Sequence, residues 1–312
     1  MGYVAGVGAL NADFIGKSRA DPVLRDSNPG YVRINAGGVT RNILENLARM
    51  GLDCRLLTAV GRDALGDMAL DATREAGVDV SRALRVSGEP TSTYCALLEP
   101  SGEMFAALSD MRILERLDDA YLDAHAALLS GADVVALDPS LPERAIDRVL
   151  ELARGAPVFA DPVSTAYAKK LLGRVGRFSM LKPNRMELEV LSRMRADTEA
   201  ALRASAEKLV AEGCRAVYVT LGADGCAFAD ARGRYLRMKM RPVEHMQNAT
   251  GAGDAFAAGA LYGFVKRYAP ERTLALALAA GRAAILSPGT VEPRVGESFL
   301  DSILAENPVA SC

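Results

Sequence analysis

Short apolar runs alternate along the chain with longer segments in which apolar residues recur about every 3.6 positions. The short runs have the length of strands and lie at residues 3–8, 54–60, 132–137, 156–161 and 216–221. The longer segments have helical spacing and lie at residues 39–51, 66–77, 141–155 and 199–213. Several of them end in glycine, a common helix stop. The alternation predicts an α/β fold with a central, mostly parallel sheet flanked by helices on both faces.

Two stretches depart from this alternation. Residues 14–36 are polar and rich in turn formers, without a helical pattern, and residues 91–110 are typical of a hairpin about the turn at 100–103. These stretches predict a small β-sheet that projects near the strand ends, where open α/β sheets bind ligands, and that acts as a lid. We find no internal repeat or linker, so residues 1–312 are expected to form one domain, with the lid at about 14–36 and 91–110.

Composition excludes several classes of function. The chain has 37 Lys and Arg against 39 Asp and Glu, a net charge of −2, which argues against nucleic acid as a partner. No apolar run approaches the ~20 residues needed to span a membrane, and the N-terminus lacks the basic region of a signal peptide, so a cytoplasmic protein is expected. The five cysteines are scattered and lack metal-type spacing. The chain has two histidines, and neither lies in a motif that indicates a catalytic role, so a Ser-His-Asp hydrolase is disfavoured.

The segment around Asp254 carries the clearest chemistry. Thr250, Gly251, Ala252 and Gly253 precede Asp254, and small helix-compatible residues follow it. Glycine lowers helix stability by roughly 1 kcal/mol relative to alanine. Two glycines at a helix start therefore suggest that backbone N–H groups approach an anion closely there. An anion site disfavours a carboxylate that has no chemical role, so Asp254 is either a reacting group or an ordinary helix-start carboxylate.

A second glycine pair opens another predicted helix. Gly37 and Gly38 indicate a tight turn or a close backbone approach to a ligand, with the amide of Asn42 one turn further along. Asn11 and Asp13 follow the first predicted strand and are placed to meet the same ligand. One carboxylate can accept from both hydroxyls of a vicinal diol. Residues 11–18 also approach a P-loop pattern, but Asn11 replaces its first glycine and no helix follows, so a phosphate-binding loop of that type is excluded.

Two further segments have both a local and a ligand-binding interpretation. Asn184 and Glu187 have the spacing of a helix capping box, and they could also order a hydrated Mg²⁺. The segment from Thr220 through Gly222 to Gly225 fits a strand followed by a hairpin turn. It also fits a polar strand end beneath the phosphates of a nucleotide.

Four motifs together resemble those of the ribokinase-like (PfkB) carbohydrate kinases over essentially the whole chain. They are GGVTRNILENLARMG, LKPNRMELEVL, VTLGADG and NATGAGDAFAAGAL, in that order. Residues 26–51, 92–115 and 161–171, together with Asn248, look closer still to the pseudouridine kinases of that family. The resemblance implies the ribokinase-like fold and the ATP-dependent phosphorylation of the 5′-hydroxyl of pseudouridine.

The resemblance also implies roles for individual residues. Asp254 would be the general base, with Gly251, Ala252 and Gly253 forming the anion hole. The substrate-binding residues would be Asn11, Asp13, Gly37, Gly38, Asn42 and, less directly, Asp138, with Thr93 and Met111 as lid residues beside the base. ATP and Mg²⁺ would face Asn184, Glu187, Thr220, Gly222, Gly225 and Thr250, with Glu187 reaching Mg²⁺ through water.

The partner implied is a small nucleoside or sugar, together with a second copy of the chain paired through the lid. Asn248 stands where the wider family has an Asp that helps to hold a monovalent cation, so K⁺ activation is in doubt. Another nucleoside, ribose or a ketose stays open as the acceptor. A non-catalytic sugar sensor is a further alternative, which the intact Asp254 and its glycines disfavour.

Overall fold

The computed structural model describes residues 2–243, 246–247 and 250–311. Asn248 therefore lies outside the described residues. The strands are β1 (Val4–Val7), β2 (Asn11–Ser18), β3 (Gly30–Gly37), β4 (Cys54–Leu57), β5 (Ala59–Gly61), β6 (Val78–Asp79), β7 (Leu84–Val86), β8 (Thr93–Leu98), β9 (Met104–Asp110), β10 (Val134–Leu137), β11 (Val158–Ala160), β12 (Met180–Leu181), β13 (Ala216–Thr220), β14 (Cys226–Asp230), β15 (Tyr235–Lys239) and β16 (Ala310–Ser311).

The helices alternate with these strands over most of the chain. They are α1 (Val39–Arg49), α2 (Ala64–Glu75), α3 (Asp119–Ala124), α4 (Ala126–Ser130), α5 (Glu143–Leu152), α6 (Thr165–Ala168), α7 (Arg185–Ser192), α8 (Glu199–Ala211), α9 (Ala252–Val265), α10 (Pro270–Ile285) and α11 (Glu297–Glu306). Short 3₁₀ turns cover Arg112–Arg116, Lys169–Leu171, Val175–Arg177 and Gly222–Asp224. None of the described helices combines the length and the apolar character needed to cross a membrane.

The main sheet has the strand order β16-β15-β14-β13-β12-β11-β10-β1-β4-β6. It is parallel from β13 through β10 and β1 to β6, and antiparallel from β13 to β16. The predicted α/β fold with a mostly parallel sheet is confirmed. The predicted strand at 54–60 is interrupted at Thr58, because β5 leaves the main sheet and pairs with β7.

The predicted small sheet is also confirmed, with the order β3-β2-β8-β9. The hairpin of β8 and β9 turns at Glu99–Glu103, where the Gly102 N–H donates to the Glu99 carbonyl over 2.9 Å. Residues 11–18 form β2, which is incompatible with a P-loop. Because side chains alternate across a strand, Asp13, Tyr94 and Ser109, which are partners in register, share one face of this sheet.

Two helices that begin at glycines bring distant parts of the chain together. Helix α1 begins after Gly38, whose φ is 109°, and α9 begins after Gly251, whose φ is 84°. The two helices pack against each other. This packing brings the first turn of α1 to the first turn of α9, so residues 212 positions apart in the chain meet there.

Candidate active site

The N-terminus of α9 requires its glycines for steric reasons. A Cβ at Gly251 would lie 2.2 Å from the Thr290 carbonyl oxygen, at a positive φ that L residues rarely adopt. The first backbone N–H groups of a helix have no partner within that helix, and its dipole favours an anion beside them. Thr250, Gly251, Ala252 and Gly253 therefore present an anion-binding geometry at one point of the surface.

Asp254 lies in the first turn of α9 and is half-buried. Its Oδ2 accepts a hydrogen bond from Asn42 Nδ2 over 2.8 Å. Burial, together with the nearby Asp161 carboxylate and, more weakly, Asp13, raises the pKa of Asp254 to about 8. A carboxyl group with a pKa in this range is poised to take up a proton near neutral pH.

Sequence reasoning missed an ion pair beside this helix. Lys182 and Asp161 have side chains 6% and 4% exposed, and Lys182 Nζ lies 2.9 Å from Asp161 Oδ2. Burial alone would lower the pKa of Lys182, but the Asp161 carboxylate outweighs it and the pKa is raised, so the ammonium stays charged. A Cβ built on Gly253 would lie 3.1 Å from Lys182 Nζ, which places this cation at the helix N-terminus.

A sequence signal for this pair was available. Both residues follow buried strands directly, Asp161 after β11 and Lys182 after β12, and these strands are neighbours in the sheet. A charged residue at the carboxyl end of an apolar strand points to the ligand-binding edge of an α/β sheet. Both residues also fall in segments that carry the resemblance named above, residues 161–171 and the motif LKPNRMELEVL, although neither residue was assigned a role.

The predicted sugar-binding residues Asn11, Asp13, Gly37 and Gly38 come together at the junction of the two sheets. Asn11 Nδ2 donates to Asp13 Oδ1. Burial raises the pKa of Asp13 to about 6. A Cβ at Gly37 would lie 2.2 Å from the Asp13 carboxylate, and one at Gly38 would lie 2.2 Å from the Ala9 carbonyl oxygen. The glycine pair thus leaves room for the Asp13 carboxylate and for the turn that begins α1.

Asp138 follows β10 directly, and its carboxylate is bonded within the protein. It is 1% exposed, and both of its carboxylate oxygens accept hydrogen bonds from the protein itself. Thr40 Oγ1 donates to Oδ2 over 2.7 Å, and the Ser140 N–H donates to Oδ1 over 3.0 Å. The Ala9 and Thr40 backbone N–H groups also donate to Oδ2, and Ser140 Oγ donates to Oδ1. Through these bonds the Asp138 carboxylate links the end of β10 to the start of α1. Few of its hydrogen-bond acceptor positions remain for the hydroxyls of a sugar.

The predicted nucleotide-binding residues lie on the other side of the α9 N-terminus. Asn184 and Glu187 form a capping box on α7, with the Asn184 N–H donating to Glu187 Oε2 over 2.8 Å. Asn184 is bridged to Thr220 on the adjacent strand. Burial and the nearby Asp161 raise the pKa of Glu187. The interpretation of this motif as a helix capping box is confirmed. The motif also lies beside the ligand-binding edge of the sheet.

A cavity of about 500 Å³ extends from this edge. Its walls include three predicted residues, Thr220, Gly222 and Gly225, together with Ala252 and Gly253 of α9. Phe256, Leu278 and Ile285 make part of the wall apolar, as flat aromatic ligands require. In the described part of the chain no group of three or more His, Cys, Asp or Glu side chains could hold a metal ion.

The structure separates the two predicted lid residues from the sugar site. By register, Thr93 is the neighbour of Ala12 and Asp110, so its side chain lies on the opposite face of the small sheet from Asp13. Met111 follows β9 and packs against the core beneath. Tyr94 and Ser109 instead share the face of Asp13, and Ser109 Oγ lies 3.3 Å from Tyr167 Oη of α6. An error of one residue on a strand reverses the face.

In this geometry the half-buried Asp254 lies at an anion-binding helix start and is hydrogen-bonded to α1, which begins at the glycine pair beside Asp13. The model of the pfkB family of carbohydrate kinases matches residues 1–295. The chain belongs to that family.

Individual relatives agree with this assignment. The pseudouridine kinase of Escherichia coli (strain K12) is 37% identical over 258 residues, which cover 82% of each chain. A carbohydrate kinase from Agrobacterium tumefaciens is 25% identical, with a TM-score of 0.82 over 100% of both chains. A ribokinase from Arabidopsis thaliana, solved with ribose and ATP, has a TM-score of 0.85 over 97% of this chain and 98% of its own, at 22% identity.

Proposed function

We propose that this protein transfers a phosphoryl group from ATP to the 5′-hydroxyl of pseudouridine, giving pseudouridine 5′-phosphate and ADP. The observation that carries the proposal is the position of Asp254, next to the N-terminal N–H groups of α9 and hydrogen-bonded to Asn42. A carboxylate there can accept the proton of a hydroxyl while the helix start holds the phosphoryl group.

Each part of the site then has a chemical task. Asp13 and the backbone at Gly37 and Gly38 hold the ribose hydroxyls, which orients the 5′-hydroxyl toward Asp254. The backbone at 251–253 and the Lys182 ammonium stabilise the negative charge on the phosphoryl group during its transfer. Such charge stabilisation is the dominant contribution to the catalysis of phosphoryl transfer. ATP occupies the cavity lined by Thr220, Gly222 and Gly225. Mg²⁺, when bound, neutralises phosphate charge, with Asn184 and Glu187 ordering its water ligands.

The nucleoside is favoured over a free sugar by the inner face of the lid. From Asp13 the register leads through Tyr94 to Ser109, two strand spacings or about 10 Å away. This row is long enough for a sugar and a base ring side by side. Its far end, the Ser109 and Tyr167 hydroxyls, offers hydrogen-bonding groups to a polar base edge. Support for pseudouridine in particular comes from the 37% identity with the E. coli pseudouridine kinase.

The test is ADP release with MgATP and a panel of pseudouridine, uridine, adenosine, ribose and fructose. We expect kcat/KM for pseudouridine to exceed that for uridine. The two bases differ in the N–H that pseudouridine presents where uridine has a C–H, and a site built to bond an N–H discriminates against its absence. Preference for another acceptor would retain the kinase and exclude pseudouridine. No turnover with any acceptor would favour a sensor.

A matched pair of variants locates the discrimination. Tyr167→Phe removes the hydroxyl that faces Ser109, and Tyr121→Phe removes a half-buried hydroxyl that donates to the Arg82 carbonyl away from the site. We expect Tyr167→Phe to lower kcat/KM for pseudouridine about tenfold, the value of one hydrogen bond, with a smaller effect on ribose. Equal losses for pseudouridine and ribose would show that the base is bound elsewhere.

A further inference from the structure

Arg41 is a buried cation that the proposed chemistry leaves without a role. It lies in the first turn of α1 and is 5% exposed. Its Nη1 lies 2.5 Å from Glu45 Oε2, and its Nε donates to Thr73 Oγ1 over 3.1 Å. The other oxygen of Glu45 accepts from Arg49, so a single carboxylate serves two guanidinium groups. Arg49 lies at the surface, so Arg41 and Glu45 form the buried ion pair of this cluster, and an ion pair in the interior is retained at a cost in desolvation.

The guanidinium also bonds to the next residue. Arg41 Nη1 donates to Asn42 Oδ1 over 3.0 Å, and Asn42 Nδ2 donates to Asp254 Oδ2 over 2.8 Å. An arginine offers only donors, so the end of the amide that faces it must be the carbonyl oxygen. The NH₂ group is then the end that faces Asp254. Arg41 thus fixes the orientation of the Asn42 side-chain amide.

The orientation of this amide decides which form of Asp254 is stabilised. With its NH₂ toward the carboxyl group, the amide donates to an ionised carboxylate, which only accepts. With its oxygen toward the carboxyl group, it would favour the protonated acid, which cannot accept a proton from a hydroxyl. A chain of hydrogen bonds that begins at a cation polarises each bond in it and strengthens the donation to the carboxylate.

We propose that Arg41 is a positioning residue for the catalytic carboxylate, acting through the Asn42 amide to favour the ionised, proton-accepting form of Asp254. The inference rests on the proposed role of Asp254 as the general base, and it is independent of which acceptor is phosphorylated.

The charges around Asp254 set the direction of the expected effect. Asp13 of β2 and Asp161 after β11 disfavour its ionised form, whereas Lys182 after β12 and the Asn42 amide of α1 favour it. Arg41 interacts favourably with both Asp13 and Asp254. Loss of Arg41 removes a positive charge and frees the amide to turn, and both changes make Asp254 harder to ionise.

The experiment measures kcat/KM against pH for the complete chain and for Arg41→Met. Removal of Arg41 is expected to move the acid limb to higher pH by about one unit and to lower the rate at pH 7 about tenfold. Arg41→Lys keeps a positive charge without the planar guanidinium group, and its acid limb should lie between those of the wild type and Arg41→Met. Thr73→Val, which breaks the Arg41 Nε contact and leaves the Asn42 bond, is the matched control and should leave the limb in place.

A double-mutant cycle separates positioning from a general loss of structure. In the Asp254→Asn background, Arg41→Met should cause no further loss of residual turnover, because the group on which Arg41 acts is gone. An unmoved acid limb, or an equal loss in both backgrounds, would overturn the inference. Normal turnover of the Asp254→Asn single variant would exclude Asp254 as the general base. That outcome is therefore distinguishable from a failure of the inference about Arg41. If Arg41→Met does not fold, Arg41→Lys in the same cycle gives the answer.

Discussion

The two halves of the candidate site are built in different ways. The acceptor half consists of buried polar side chains: Asp13, Arg41 and Asn42 are each no more than 6% exposed. The nucleotide half instead brings backbone to the cavity wall at Gly222, Gly225 and Gly253, beside large apolar side chains such as those of Phe256 and Leu278. Proton transfer requires particular titratable groups, whereas a polyphosphate can be held by N–H groups that every residue carries. Side-chain chemistry should therefore dominate one half and backbone conformation the other.

The largest effect is expected from the side chain shared by both halves. Asp254→Asn keeps the shape and removes the base, so turnover should fall by at least ~10², within the usual 10²–10⁴ for such a group. Acceptor affinity, measured by calorimetry, should stay within a few fold because Asp13 and the glycine pair are intact. Near-normal turnover would exclude Asp254 from the mechanism.

The nucleotide half should be broken by a change in backbone. Gly251→Ala places a Cβ 2.2 Å from the Thr290 carbonyl oxygen and must displace the helix start. We expect a fall in kcat of at least about tenfold, toward the 10²–10³ that follows loss of one oxyanion donor.

Gly233→Ala, in the turn between β14 and β15 and outside the cavity, is the matched control for that change. Gly233 also has a positive φ, of 77°, but a Cβ there meets no heavy atom within 4 Å. It should cost about 1–2 kcal/mol of stability, measured by denaturant unfolding, with kcat nearly unchanged. If the two variants lose kcat equally, strain rather than the anion-binding geometry explains the loss.

A pH series tests the acceptor half. Since the pKa of Asp254 is raised to about 8 and the ionised form accepts the proton, kcat/KM should fall about tenfold per unit as pH drops below 8.

The raised pKa of Asp254 also affects stability. The folded state binds more protons than the unfolded chain between about pH 4 and 8, so stability falls as pH rises through this window. Asp254→Asn should therefore raise Tm at pH 8 more than at pH 4.5, and an equal shift at both values would contradict the raised pKa.

The sequence predicted the two halves unequally well. Gly37, Gly38 and Gly251 could be placed because glycine pairs at helix starts have a local cause, a positive φ or a close contact. The Lys182–Asp161 pair had a signal, two charged residues directly after buried strands, that was not used. The Arg41–Asn42–Asp254 chain could not be derived from spacing, since its members meet only when α1 and α9 assemble. The hydrogen bonds of Asp138 were not predicted for the same reason: its donors come from residues 9, 40 and 140. Thr93 was misplaced because strand register, which sets the face, is a tertiary property.

The smallest effect on turnover is expected from the outer face of the lid. Ile34, Phe14, Cys95 and Leu108 are partners in register and form an apolar row on the face opposite Asp13, with Leu108 74% exposed. A homodimer through this face stays a prediction, for which an exposed apolar sheet is the physical motive. Leu108→Lys should shift the mass measured by light scattering from dimer to monomer, while turnover changes by less than about threefold if each site is complete within one chain. Leu24→Lys, equally exposed at 74% but in the turn between β2 and β3, should remain dimeric. A wild-type monomer at micromolar concentration, or equal behaviour of the two variants, would exclude pairing through the lid.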